Sequence, residues 1–134
     1  MRYALATVAV LASICPSALA GGHEHPERWY QEAWCSSRGQ TEVIMADRSR
    51  ADCANATHVV EFDFGKKWAE SIGQALNYGA QSGKTPGIVL IIEKPGDERY
   101  LRRVLRVRET YKLPLDVWAL DKDGQELPAP EARR

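Results

Sequence analysis

A chain of 134 residues with 18 lysines and arginines, 18 acids, three cysteines and 44% hydrophobic residues has the size of one domain with a single core. Zero formal charge excludes a bulk attraction to nucleic acid or membrane, so a charged partner has to be met by a local patch. A mean hydropathy of -0.41 with 27% charged residues excludes a multi-span membrane protein, and the apolar content argues against disorder.

Residues 1–20 read as an export signal. Arg2 supplies the positive end, Tyr3 to Ile14 the apolar run, and Ala18-Leu19-Ala20 a small-x-small cleavage site. The apolar run is too short to cross ~30 Å of hydrocarbon at ~1.5 Å per residue. Ile14 is too bulky for the residue that precedes a lipoprotein cysteine, here Cys15. The expectation is an exported protein, periplasmic or secreted, cut after Ala20 and free of the membrane afterwards. Cleavage removes one arginine and Cys15, leaving a formal charge of about -1 and the pair Cys35 and Cys53. Neither cysteine stands in a CxxC spacing or at a zinc-finger interval from a histidine, so one disulfide is expected between them.

Four segments follow: the signal 1–20, a polar His-containing leader 21–28, an α/β domain 29–120 and a charged, Pro-containing tail 121–134. Pro26 opens a short helix over Glu27 to Cys35, with Trp29, Tyr30, Ala33 and Trp34 as its expected buried stripe. Thr41 to Met45 and Arg50 to Ala54 read as strands joined by a turn at Asp47-Arg48-Ser49. Asn55-Ala56-Thr57 is the next turn and also matches a glycosylation sequon. His58 to Phe64 is a third strand in which Val60, Phe62 and Phe64 share one face and Val59, Glu61 and Asp63 the other. Lys66 to Gln81 is an amphipathic helix. Trp68, Ile72, Ala75, Leu76 and Gly79 form its expected core face, and Lys67, Glu70, Ser71, Gln74 and Tyr78 an adjacent polar stripe.

Ile88 to Ile92 is unbroken apolar, as in a central strand covered on both faces. Asp97 offers an N-cap for a helix running to about Tyr111, with Leu101, Val104, Leu105 and the stem of Arg108 as its core stripe. Arg99, Arg102, Arg103 and Arg106 take its other side. Leu115 to Leu120 is the last strand. The order is helix, three-strand meander, helix, strand, helix, strand, which implies a mixed α/β sheet between helices.

This order and these residues resemble the PD-(D/E)XK nuclease superfamily, with its restriction-endonuclease-like core. In that superfamily an acid near the second strand and an acid on the third bind a metal, with a lysine two residues after the latter. Asp52 matches the first acid and Glu61, in Glu61-Phe62-Asp63, the second. Gln74-Ala75-Leu76-Asn77-Tyr78 resembles the Gln-x-x-x-Tyr element of the exonuclease branch. The resemblance covers roughly Trp29 to Leu120. It implies a Mg²⁺- or Mn²⁺-dependent phosphodiester hydrolase acting on DNA or RNA, with Asp52, Glu61 and Asp63 at the metal and Gln74 and Tyr78 as positioning residues. One position departs from the pattern, because Asp63 stands where the lysine belongs. Lys67, one helical turn from the site and in line with Gln74 and Tyr78, is the replacement, and Lys66 the runner-up. Glu32 on the first helix is a candidate outer ligand. If no lysine reaches the site, the alternative is a non-catalytic periplasmic binding or accessory protein that retains the fold.

The residues alone carry part of this reading. Mg²⁺ is held by one or two carboxylates together with substrate oxygens, and a nearby ammonium group stabilises charge developing on phosphorus. Acids alternating with apolar residues also describe the solvated face of an antiparallel strand.

A second site depends on the cleavage position. A chain beginning Gly21-Gly22-His23 presents an amine, two amide nitrogens and an imidazole in a square plane suited to Cu(II) or Ni(II), with His25 nearby. Titration of the processed chain with Cu(II) is then expected to give a visible d–d band, and its absence removes this site.

Overall fold

The computed structural model describes residues 22–128; the signal segment, Gly21 and residues 129–134 lie outside the described residues. The elements in chain order are α1 (Glu27–Cys35), β1 (Gln40–Ile44), β2 (Arg50–Ala54) and β3 (His58–Phe64), followed by a 3₁₀ turn (Gly65–Lys67), α2 (Trp68–Ser82), β4 (Thr85–Ile92), α3 (Glu98–Tyr111) and β5 (Asp116–Asp121). The five strands form one sheet in the order β1-β2-β3-β4-β5. β1, β2 and β3 pair antiparallel, while β3, β4 and β5 pair parallel. The chain is therefore a mixed α/β sheet with three helices, in the element order its sequence implies.

The layering follows from connection chirality. β3 to β4 and β4 to β5 step in the same direction, so right-handed crossovers place α2 and α3 on one face. The opposite face is left for α1. Val60 and Phe62 of β3, Val89 and Ile91 of β4 and Leu120 of β5 accordingly pack with Tyr30, Trp34 and the two cysteines. Ile88, Leu90 and Ile92 point the other way, against Ala75 of α2 and Leu101 and Val104 of α3. The unbroken apolar run of β4 is thus buried on both sides, as a central parallel strand requires.

Several boundaries differ from the sequence expectation. β4 starts at Thr85 and not at Ile88, so Pro86 and Gly87 lie inside the strand. A Cβ on Gly87 would come within 2.7 Å of the Trp118 ring, so this glycine serves close packing. On α1 the buried residues are Tyr30, Gln31, Trp34 and Cys35, while Ala33 is exposed and Trp29 is 38% exposed. Two tethers set that rotation. One is the disulfide at Cys35; the other is the Tyr30 hydroxyl, bonded to Glu93 Oε1 at 2.9 Å and lying 3.1 Å from the Lys122 carbonyl oxygen. Asp97 precedes α3 but makes no side-chain cap; its carboxylate accepts the Lys94 N–H at 3.3 Å.

The two ends of the domain are also packed. His23 stacks on Phe64 at 3.6 Å, and the Glu24 N–H donates to Glu93 Oε1 at 3.0 Å. After β5 the chain turns at Gly124 and returns, with the Leu127 N–H donating to the Ala119 carbonyl at 2.8 Å. Residues 121–127 therefore shield part of the β5 edge and are not a free tail.

The expected disulfide is present. Cys35 and Cys53 are bonded across a Cα–Cα distance of 5.9 Å, joining the end of α1 to β2. For a loop of 18 residues, the chain-entropy model gives about 3 kcal/mol of stabilisation. Replacing both cysteines by alanine is expected to lower the unfolding free energy by about 2–4 kcal/mol in a urea titration. A loss below about 0.5 kcal/mol would show that the tether contributes nothing.

Candidate acid site between β2 and β3

The site begins where a ladder stops. β2 and β3 are paired at Ala54↔Val59 and Cys53↔Val60 only. Continuing that register would set Asp52 against Glu61, but the strands part there, and the Phe62 N–H donates to Asp52 Oδ2 at 2.7 Å. A hydrogen bond to a carboxylate is worth about 1.5–3 kcal/mol, so the side chain is well fixed. On the other side of β2, Glu42 falls between the Thr41↔Cys53 and Val43↔Ala51 pairs and has φ +57°, a left-handed backbone that costs a non-glycine residue roughly 1 kcal/mol or more. Its carboxylate pairs with Arg50 at 3.0 Å.

β3 is the middle strand of five, and α2 covers the face that carries its acids. Glu61 is 6% and Asp63 3% exposed, so this is not a solvated strand face. Burial pushes both carboxyls of the Asp52–Glu61 pair well above the carboxylate range; the Asp52 charge raises Glu61 further, while the Phe62 N–H and a hydrogen bond with Glu61 pull Asp52 back down. Glu61 Oε2 is buried without a hydrogen-bond partner. Asp63 is pushed up to about 7, chiefly by burial and then by Glu27, against the pull of Lys67. Lys67 Nζ lies 3.7 Å from Asp63 Oδ1 with its side chain largely in solvent.

α2 corrects the expected division of its faces. Ser71 and Tyr78, assigned to the polar stripe, are buried with Ala75, while Trp68 and Ile72 are half-buried at the flank. The reason is that α2 lies over β3 as well as β4, and the acids of β3 present a polar floor. The Tyr78 hydroxyl is close enough to hydrogen-bond with Glu61, and burial pushes its own pKa up, so it stays protonated. Ser71 satisfies its hydroxyl on the Trp68 carbonyl at 2.8 Å. Gln74 is half-buried and makes no side-chain hydrogen bond among the described residues.

The structure thus brings together Asp52, Glu61, Asp63, Lys67 and Tyr78. Lys66 points elsewhere, lining a cavity of about 310 Å³ with His23, Phe64 and Glu93. The acid that α1 contributes is Glu27 and not Glu32. Glu32 is at the surface, bonded to Arg28 at 2.7 Å, whereas Glu27 is partly buried, with its carboxyl raised by burial and opposed by Lys67. Its signal was masked in the sequence, since an acid just after Pro26 in the first helical turn reads as a partner of the helix dipole.

Among the described residues, no group of three or more His, Cys, Asp or Glu side chains is arranged to hold a metal ion as the side chains stand. Of the N-terminal nitrogen set, Gly21 lies outside the described residues, and His23 Nδ1 is bonded to Glu93 Oε2 at 2.6 Å. A square-planar site there would have to release that bond. Comparison of the chain with protein-family models, curated proteins and solved structures finds no match.

The raised carboxyls fix the sign of a pH dependence. Folded Asp63 keeps its proton to about pH 7, whereas the unfolded residue loses it near 3.8, and Asp52 and Glu61 shift in the same direction. The folded chain therefore binds more protons across that window, and stability falls as pH rises through it. In EDTA, Tm is expected to drop by roughly 5 °C or more between pH 5 and pH 8. Glu61→Gln should flatten the slope. A Tm that rises over this range contradicts the buried, protonated pair.

Proposed function

We propose that this chain is an exported, metal-dependent phosphodiester hydrolase of PD-(D/E)XK type acting on DNA or RNA. The observation that carries the reading is the pairing of half-buried Asp52 with buried Glu61 where the β2–β3 ladder ends, with the Asp63–Lys67 pair beside it. The order of helix, three antiparallel strands, helix and strand supports this reading, as does Tyr78 of the Gln-x-x-x-Tyr element acting on Glu61. Export is supported by the disulfide, which persists in oxidising compartments. No helix among the described residues is long and apolar enough to cross a membrane.

The residues fit a hard divalent cation by donor chemistry. All the donors are carboxylate oxygens, Glu61 Oε2 is a buried acceptor without a partner, and Mg²⁺ needs only one or two protein carboxylates. Asp52 and Glu61 would hold the ion, with Asp63 as a third contributor. When bound, Mg²⁺ or Mn²⁺ polarises the phosphoryl oxygen and lowers the pKa of a water.

The chain's own groups do the rest. With a cation bound, Glu61 would give up any proton it carries, because the ion would balance the charge of the pair. Asp52 keeps its orientation through the Phe62 N–H. Asp63, in the position of the family lysine, holds the Lys67 ammonium at the mouth, where it offsets charge developing on phosphorus. Tyr78 limits the rotation of Glu61.

A second reading rests on a specific observation: the carboxylates do not converge as a three-ligand set, and an acid fills the lysine position. On that reading the fold serves a non-catalytic periplasmic binding or accessory role.

One assay separates the two. Mature protein is incubated with plasmid and Mg²⁺ or Mn²⁺, beside Glu61→Ala and Lys67→Ala. Nicking is expected to fall at least ~100-fold in Glu61→Ala and roughly 10–100-fold in Lys67→Ala. Nicking that survives in Glu61→Ala identifies a contaminant. No nicking together with no Mn²⁺ binding by calorimetry leaves the non-catalytic role.

A further inference from the structure

Among the described residues, Arg48 stands alone in the β1–β2 turn without a carboxylate partner, and the other arginines fall into two groups. Arg28, Arg38, Arg50 and Arg108 each pair with a carboxylate. Among the described residues, Arg99, Arg102, Arg103 and Arg106 pair with none, although all four are exposed on one helix. In a chain of zero formal charge this is a concentrated positive face, with only Asp97 acting on Arg99 at its start. Glu98, the acid that opens the helix, has its carboxylate turned back onto the Gly96 N–H at 3.0 Å.

Two of these guanidinium groups are held in place by aromatic rings. Arg99 lies 4.7 Å from the Tyr100 ring centroid and donates to its hydroxyl at 2.8 Å. Arg103 lies between two rings, 5.5 Å from Tyr100 and 5.8 Å from Trp68. Such contacts orient the planar group while leaving its N–H donors free. They also fix where the row sits. Tyr100 packs against Gly65, two residues after Asp63, and Trp68 directly follows Lys67. The row therefore begins over Gly65 and Trp68, which flank Lys66 and Lys67 in the chain, and runs away from them along α3. Seven residues at ~1.5 Å each give a track of about 10 Å, the length of roughly three nucleotides of one strand at ~3.4 Å each.

We infer that the exposed face of α3 is a binding track for the phosphate backbone of a nucleic acid strand, delivering it to the acid site. This inference rests on the hydrolase reading for its direction of delivery. Guanidinium forks match phosphate oxygens, and four of them lie unpaired along a line that leads to Lys67. A membrane surface fits less well. An interfacial helix needs an exposed apolar face, and the apolar face of α3 is spent in the core on Leu101 and Val104. The aromatic rings here are taken up by arginines and do not stack on bases, so recognition is through the backbone and independent of sequence.

The test measures binding apart from cleavage. Fluorescence anisotropy of a labelled 20-nucleotide single strand and the matching duplex is recorded in EDTA with the mature chain, Arg99→Glu, Arg103→Glu and the control Arg28→Glu. Each α3 variant is expected to weaken binding about 10-fold at 50 mM salt and to reduce the salt slope by about 1, while Arg28→Glu binds as the parent does. Circular dichroism checks that each variant is folded. No binding of either oligonucleotide, equal losses in the control, or binding to phosphatidylglycerol vesicles in preference to the oligonucleotides overturns the track. Binding that depends on α3 without any Mn²⁺-dependent nicking sinks the hydrolase reading alone. Glu61-dependent nicking that is indifferent to Arg99 and Arg103 sinks the track alone.

Discussion

One hydrogen bond organises the acid cluster of this molecule: the Phe62 N–H of β3 given to the side chain of Asp52 on β2. It stands where the β2–β3 ladder ends, two pairs from its start. Had the ladder continued, β2 would lie flush against β3. Because a carboxylate takes the amide instead, the strands part without leaving that donor unsatisfied, which in a buried position would cost about 1–3 kcal/mol. Where the ladder ends, the Asp52 and Glu61 carboxyls face each other within hydrogen-bond reach. Glu27 of α1 and Lys67 of the 3₁₀ turn both act on the acid cluster electrostatically.

Around that cluster the fold is rigid where rigidity positions charge. The disulfide fixes the end of α1 to Cys53, the residue next to Asp52. Asp47, in the β1–β2 turn, is tied to α2 by Asn77 at 3.1 Å and by Gln81 at 3.0 Å. β4 supplies an apolar wall on both sides of the sheet. The carboxyls are desolvated by these elements, and their raised proton affinity follows from that. Such an arrangement is costly to the fold, as burial of charge commonly is.

Much of the architecture was legible from local pattern. The bounds of α1, β2 and β3 follow from Pro26, from the turn residues around Asn55 and from the period-2 alternation that Gly65 ends. Glu61 and Asp63 could be placed on one face for the same reason, and the Cys35–Cys53 bridge followed from there being only two cysteines after residue 20. Less legible were features set by a neighbour. Ser71 and Tyr78 look like surface residues until α2 is laid over a strand whose facing side chains are acids. Glu27 looks like a dipole partner until α1 is turned by its tethers. Thr85-Pro86-Gly87 looks like a loop until the Trp118 ring is found to need the room.

The sequence by itself determined the order and type of the elements, because hydrophobic periodicity, helix starts and turn residues act over a few residues and need no partner. It also determined which acids, lysines and arginines exist and which share a face. Tertiary structure decided whether those acids are buried or wet, which lysine reaches them and which arginines go unpaired. Burial, pairing and proton affinity depend on what is packed against a side chain from elsewhere in the chain. For Glu61 that surrounding comes from Asp52, nine residues earlier, and Tyr78, seventeen residues later.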